Sequence, residues 1–311
     1  MFNDKTLSRH GRQIYLQKKI RAITALSVII AAIIASVFII FRVKNGASNE
    51  KNELLRIWDE GNYEKVYEIS KNALYKNPVD YNLLTLHGFS AYQLGISQIN
   101  TQNTLLYIDE SIFSLKKAML HKEASGDGRI YYVLGKAYGY KGTEYSDLAV
   151  KYLEIAGGIY DAKDIPEYLG LAYAACGDYR NSVAAFSRAF SPGKLPSDSL
   201  LLAIARSYIA MEEYGIASGY LKRCIEISPD SKSVVIARLL LAEILRMTDD
   251  YDGAEEQYLS ILNGSGENAE VHYQLGELYN LKGDTTRARA EWRLAYRQDP
   301  AHTGTRARLN I

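Results

Sequence analysis

Few residues of this chain have the types and spacing that catalysis or metal binding requires. The chain has no H-E-x-x-H, G-x-S-x-G, Walker or C-x-x-C motif, so no zinc hydrolase, serine hydrolase, nucleotide loop or redox pair is indicated. The sequence therefore predicts a protein without catalysis, metal or cofactor. The histidines are scattered, without the short spacings of a metal site, and lie at His10, His87, His121, His272 and His302.

The two cysteines, Cys176 and Cys224, lie far apart in the sequence. Cys224 replaces a small residue near the end of a predicted helix, a position typical of a small buried hydrophobe. A disulfide would need a Cα separation that the sequence cannot establish, so both redox states stay open here. His87, beside Gly88, is expected to be a packed structural histidine.

Charge is distributed unevenly along the chain. The 311 residues sum to a net charge of +1, but residues 1–21 contain six Lys/Arg against one acid. The remaining residues contain 31 Lys/Arg and 35 Asp/Glu, which is not the clearly basic balance of a nucleic-acid binder. A hydrophobic content of 47% also excludes a wholly disordered chain.

Residues 22–41 form an apolar run, AITALSVIIAAIIASVFIIF, without a charge, a proline or a glycine. A helix of this length spans about 30 Å, the hydrocarbon thickness of a bilayer. We interpret the run as a transmembrane helix between a basic tail, residues 1–21, and a linker, residues 42–46. A buried core helix and a cleaved signal peptide are alternatives, which the length of the run and the flanking Arg21 and Arg42 disfavour.

Lysine and arginine residues beside the run indicate its orientation. Five lie in the fifteen residues before it and four in the fifteen after it. This weak bias predicts a single-pass inner-membrane protein whose N-terminus is cytoplasmic and whose large domain is extracytoplasmic, in the periplasm. A large domain that faces the cytoplasm is the alternative.

The remaining chain is periodic. Residues 269–302 contain spaced small, aromatic and proline residues, namely Leu275, Gly276, Tyr279, Gly283, Ala288, Trp292, Ala295 and Pro300. Related sets recur in the upstream segments 47–80, 81–127, 128–162, 163–196, 198–234 and 235–268, and the second segment carries an insertion at 96–107. The spacing resembles the tetratricopeptide repeat (TPR), an antiparallel helix pair of about 34 residues.

The resemblance implies an all-α fold, with an α-α superhelical solenoid of about seven TPR-like helix pairs over 47–302. Residues 303–311 would be a short C-terminal tail with one or two helical turns. Gly276 and Ala288 would allow the two helices of a pair to approach closely. Gly283 would end the first helix in a left-handed conformation, and Pro300 would stop the second.

The resemblance also predicts which residues line the concave face of the solenoid. Aromatic and arginine side chains in a groove are common anchors for a protein or peptide partner. The insertion at 96–107 would either lengthen a helix pair or form a loop over this groove. The predicted groove residues are Trp58, Phe89, Tyr92, Tyr132, Lys136, Tyr140, Arg206, Arg246 and Tyr273.

One known binding mode of the family can be tested on the sequence. Chaperone-binding repeats clamp a C-terminal carboxylate with a lysine and an asparagine of their first repeat. The corresponding residues here are Lys51 and Leu55, so the asparagine is missing. We predict no chaperone-tail clamp.

The sequence therefore predicts a membrane-anchored, non-catalytic scaffold that binds a protein partner in a bacterial cell envelope. The bacterial assignment follows from the resemblance alone. One alternative is an adaptor or receptor that faces the cytoplasm. Another is a small-molecule-binding component of a transport system, which a pocket lined by Tyr132, Tyr140 and Arg206 would indicate.

Overall fold

A computed structural model describes residues 51–190, 195–265 and 268–311. Within these ranges the chain forms fifteen α-helices, two 3-10 turns and no strand. The helices are α1 (51–59), α2 (Tyr63–Lys76), α3 (Tyr81–Ile96), α4 (Thr101–Ala118), α5 (Gly128–Lys141), α6 (Ser146–Ile159), α7 (Ile165–Ala175), α8 (Tyr179–Ala189), α9 (Asp198–Ala210), α10 (Tyr214–Ile227), α11 (Ser231–Met247), α12 (Tyr251–Ser265), α13 (Ala269–Leu281), α14 (Thr285–Gln298) and α15 (Thr303–Leu309).

Short polar residues start many of these helices. The carboxylate of Asp80 accepts a hydrogen bond from the backbone N–H of Leu83 at 2.9 Å, and Asp284 accepts one from Arg287 at the same distance. Such caps satisfy backbone donors that a helix leaves unpaired at its first turn. Sequence and local structure therefore agree at the start of those helices that have such a cap.

Several turns inside the helix pairs contain a residue in the left-handed conformation. Gly177 and Gly283 occupy this position with φ of 77° and 79°, so the prediction for Gly283 is confirmed. The pairs α9/α10 and α11/α12 place Glu212 and Asp249 there instead, with φ of 62° and 60°. A residue with a side chain pays a steric cost in this conformation that glycine avoids.

Small residues let the two helices of a pair pack closely. A Cβ atom added to Gly276 would lie 2.5 Å from Cδ1 of Trp292, and one added to Gly170 would lie 2.5 Å from the Phe186 ring. Ala288 is fully buried beside Gly276, as the repeat pattern predicts. The large side chain of the second helix thus occupies the space that a larger residue on the first would need.

The pairs stack so that their first helices form one layer. From α2 onward each helix packs on the next in sequence, and α3, α5, α7, α9 and α11 also contact one another in succession. The odd-numbered helices from α3 to α11 therefore form the inner layer of the solenoid, and the even-numbered helices between them form the outer layer. The core between the two layers consists of five hydrophobic clusters in the described part of the chain.

The structure decides two details that the sequence left open. The insertion at 96–107 forms no separate loop over the groove but lengthens its helix pair, since α3 has 16 residues and α4 has 18. Residues 303–309 add a fifteenth helix within the described chain, which packs on α14 and buries Thr305.

The predicted tail, transmembrane helix and linker at 1–21, 22–41 and 42–46 lie outside the described residues. No helix in the described part of the chain is long and apolar enough to cross a membrane.

Candidate functional site

A groove crosses the inner layer at the N-terminal end of the solenoid. Its volume is about 520 Å³, within the usual range for ligand sites, and it runs over α1, α3 and α5. Four of the predicted concave residues meet in it. Its aromatic lining consists of Trp58, Tyr81, Phe89, Tyr92, Tyr132 and Tyr160.

Aromatic and cationic side chains are packed together along this groove. The rings of Trp58 and Phe89 lie 6.3 Å apart between centroids, and the Arg129 guanidinium lies 5.8 Å from the Phe89 ring. Arg129 also donates to both carboxylate oxygens of Asp127, at 2.8 and 2.6 Å. Its charge is therefore largely balanced, and the groove offers rings and planar groups rather than a strong net charge.

Tyr92 has an unsatisfied hydroxyl in this setting. The residue is 3% exposed, and its hydroxyl has no hydrogen-bond partner among the described residues. Burial raises the pKa of Tyr92, so the hydroxyl stays protonated and can donate a hydrogen bond. An unpaired buried hydroxyl costs about 1–3 kcal/mol. Because the oxygen is covered in the free protein, a partner recovers this cost only when the Tyr92 side chain shifts towards the groove on binding.

Lys136 lies behind the groove among tyrosine rings. Its ammonium donates to the Tyr132 hydroxyl at 2.9 Å and to Asp164 at 3.2 Å, and it lies 4.0 Å from the centroid of the Tyr168 ring. The Tyr132 hydroxyl donates to Asp164 at 2.6 Å. Burial, together with its hydrogen bond to Asp164, raises the pKa of Tyr132 to about 12.

These contacts leave Lys136 with its charge already engaged inside the protein. We therefore assign it the role of fixing the Tyr132 ring against the groove, rather than that of a free cation for a ligand. A second cavity of about 350 Å³ lies on its other side and is lined by Lys136, Tyr140 and Tyr168.

The other predicted residues lie elsewhere along the inner layer. Arg206 is exposed on α9 and lines neither of these two cavities. Arg246 lines a separate cavity of about 240 Å³ together with Glu243 and Glu270. Tyr273 is half-buried against α15, where its ring lies 4.8 Å from that of His302. Tyr132, Tyr140 and Arg206 are thus not brought into one pocket.

Sequence reasoning missed three residues that help to shape the groove. Tyr81 lies at the first position of α3, Tyr160 follows α6, and Asp164 precedes α7. Helix ends fall outside the regular pattern of concave positions, so repeat periodicity gives no signal for them. The ring of Tyr160 nevertheless lies 5.4 Å from that of Tyr132.

The described residues contain no group of three or more His, Cys, Asp or Glu side chains that could hold a metal ion. The buried His87 bridges Ser70 and Glu110, at 3.1 and 3.2 Å, which is the packed structural role predicted for it. Cys176 is exposed and Cys224 is buried, and both are free thiols. The arrangement of the groove is suited to binding.

Comparison with known proteins agrees with this architecture. A sequence model of the tetratricopeptide repeat matches residues 199–231. The C-terminal part of a TPR repeat-containing protein from Cytophaga hutchinsonii superposes with a TM-score of 0.62 at 14% identity, covering 84% of this chain and all of that one. PilW, a widely conserved type IV pilus biogenesis factor, gives a TM-score of 0.56 at 17% identity, over 71% of this chain and 98% of its own.

A tetratricopeptide repeat protein from Parabacteroides merdae gives a TM-score of 0.51 at 17% identity, over 84% of this chain and 98% of that one. No curated protein sequence is detectably similar to the chain. At these identities the structural matches show the fold, a TPR-like solenoid, and the sequence match places one such repeat at 199–231.

Proposed function

We propose that this tetratricopeptide-repeat solenoid is a non-catalytic scaffold that binds an extended segment of a partner protein in the groove over α1, α3 and α5. The observation that carries the proposal is the aromatic lining of this groove, to which Tyr92 contributes. Buried aromatic anchors supply much of the energy in protein interfaces. The repeat fold itself implies a protein or peptide partner.

The Tyr92 hydroxyl also favours one conformation of the partner. A hydroxyl that donates to the partner's main chain needs a free carbonyl oxygen. An α-helix uses most of its carbonyls internally, whereas an extended segment presents them. The segment would place apolar side chains against the Trp58 and Phe89 rings.

Selection from a library of random peptides, on the purified full-length chain in detergent, tests this proposal. Asn82→Arg and Gln93→Arg place bulk and charge on the groove lining, and Thr286→Arg on the exposed surface of α14 is the matched control. We expect the selected peptides to lose binding to the two groove variants only. Peptides that bind all three variants equally would contradict the proposal.

The same selection addresses the chaperone-tail prediction. Lys51 and Leu55 both line the groove, and the Leu55 side chain has no amide group to bind a terminal carboxylate. Selected peptides should therefore bind equally well when their C-terminus is amidated. Binding that depends on a free C-terminal carboxylate would overturn this part of the account.

The second part of the proposal concerns location. Residues 22–41 would span the inner membrane, with the N-terminus in the cytoplasm and the solenoid in the periplasm, where the scaffold would serve the cell envelope. The support is the uncharged run of 20 residues and the weak excess of flanking positive charge on its N-terminal side. Protease treatment of intact spheroplasts should digest a C-terminal tag, whereas protection until lysis would favour the cytoplasm-facing adaptor.

A further inference from the structure

The outer helix α4 carries a line of exposed apolar side chains. Leu106, Phe113 and Leu120 follow one another at seven-residue intervals, the last in the turn after the helix, and are 64%, 68% and 85% exposed. Single exposed apolar residues are ordinary on protein surfaces. Seven-residue spacing keeps these three side chains on one face of the helix, and the positions between them on that face carry charged residues rather than the second apolar set of a coiled coil.

Charge changes sign along this line. Asp109 lies on the surface between Leu106 and Phe113, whereas Lys116 and Lys117 lie between Phe113 and Leu120. The helix face is therefore acidic in its first half and basic in its second, with Phe113 at the centre. Asp109 also pairs with Lys141 of α5 but keeps 55% of its side chain exposed.

We propose that α4 packs antiparallel against α4 of a second copy of this chain, about a twofold axis that passes beside Phe113. Phe113 is seven residues from both Leu106 and Leu120, so the antiparallel arrangement places each Leu106 opposite Leu120 of the other copy. Asp109 and Lys117 are each four residues from Phe113, so opposite charges also meet. The surface is self-complementary in shape and charge, as a twofold interface requires.

A shallow depression beside Phe113 adds to the fit. It has a volume of about 200 Å³ and is lined by Leu74, Tyr75, Pro78, Phe113 and Lys117, among others. Tyr75 on the neighbouring helix α2 is 79% exposed, so the apolar surface continues beyond α4. Near the twofold axis, the phenyl ring of Phe113 from one copy would enter this depression on the other.

The charge pattern disfavours the parallel arrangement of the same two helices. Parallel packing would place Asp109 against Asp109 and Lys116 against Lys116, and such like-charge contacts are destabilising. An interface of one helix pair is small by the standards of stable complexes, so we expect a reversible, concentration-dependent dimer. The dimer uses the outer layer and leaves the inner groove open.

Sedimentation velocity of the full-length chain in detergent tests the dimer. We expect dimers that dissociate on dilution and a Phe113→Asp variant whose dissociation constant is raised about tenfold or more. Because Phe113 is largely exposed, the variant should keep the wild-type helical circular dichroism. A chain that stays monomeric at the highest attainable concentration, or a dimer that Phe113→Asp leaves intact, overturns the proposal.

Disulfide trapping tests the register, in a background of Cys176→Ser and Cys224→Ala. Phe113→Cys should cross-link to itself, and Leu106→Cys should cross-link to Leu120→Cys when the two variants are mixed. Leu106→Cys alone should remain largely uncross-linked. Strong self-cross-linking of Leu106→Cys would instead show a parallel pair and contradict the proposed arrangement.

Discussion

Gly276 on α13 lies directly against the indole ring of Trp292 on α14, so that an added Cβ atom would be 2.5 Å from Cδ1. We expect Gly276→Ala to lower the free energy of unfolding by about 1–3 kcal/mol, because the ring or the helix must shift. Urea denaturation followed by circular dichroism measures this change.

A matched glycine provides the control. Gly219 lies within α10 with no atom within 4 Å of its added Cβ, so Gly219→Ala should raise stability by about 0.5–1 kcal/mol through helix propensity. If both variants changed stability in the same direction, packing at Gly276 would not be the cause.

The left-handed turns give a second prediction. Glu212 adopts φ of 62° where the equivalent Gly177 has 77°. Glu212→Gly should raise the free energy of unfolding by up to about 1 kcal/mol, because relief of the steric cost outweighs the added chain entropy. The reciprocal variant Gly177→Ala should lower the free energy of unfolding, measured by the same urea denaturation. If Glu212→Gly lowered it as well, the contacts of the Glu212 side chain would contribute more to stability than its backbone conformation costs.

His87 makes stability depend on pH. Burial lowers its pKa below the ordinary value near 6.5, although the carboxylate of Glu110 opposes this effect; Lys71 and Tyr67 also face the ring. The unfolded chain therefore binds more protons below about pH 6.5, and stability falls as pH falls through that value.

The contribution of His87 between about pH 7.5 and 5.5 is at most about 1.4 kcal/mol. His87→Gln cannot titrate, so its stability should change less over this interval than that of the wild type. Urea denaturation at the two pH values measures the difference. Equal pH dependence in the two proteins would exclude His87 as the source.

Tyr92 allows stability and binding to be separated. Tyr92→Phe removes an unpaired buried hydroxyl, so the free solenoid should be as stable as the wild type or more stable. Binding of a groove-selected peptide should weaken, by about tenfold for one lost hydrogen bond. Isothermal titration calorimetry measures the affinity, and unchanged affinity would show that the hydroxyl does not contact the ligand.

The repeat pattern predicted the helical solenoid well, because the residue type at each signature position is determined by contacts within one repeat. Gly276, Gly283 and Pro300 each meet a steric requirement that can be read one repeat at a time. The pattern did not predict the left-handed turns at Glu212 and Asp249, because residues with a side chain do not favour this conformation. We attribute it to the stacking of the surrounding helices.

The groove was only partly predictable from the same pattern. Trp58, Phe89, Tyr92 and Tyr132 occupy regular concave positions and do meet in one cavity. Tyr81 and Tyr160 lie at helix ends, where orientation depends on how adjacent pairs stack. Tyr273 is covered by α15, a helix that the repeat count did not include.

Site-specific photo-cross-linking in cells that express the full-length chain tests the central claim most directly. A benzophenone amino acid would replace Gln93 in the groove or, as the control, Thr286 on α14. The account predicts that Gln93 cross-links to one segment of a partner protein, that the Tyr92→Phe background reduces the yield, and that Thr286 does not capture this partner. Absence of a cross-link at Gln93, or equal capture of the same partner from both positions, would contradict the groove as the binding surface.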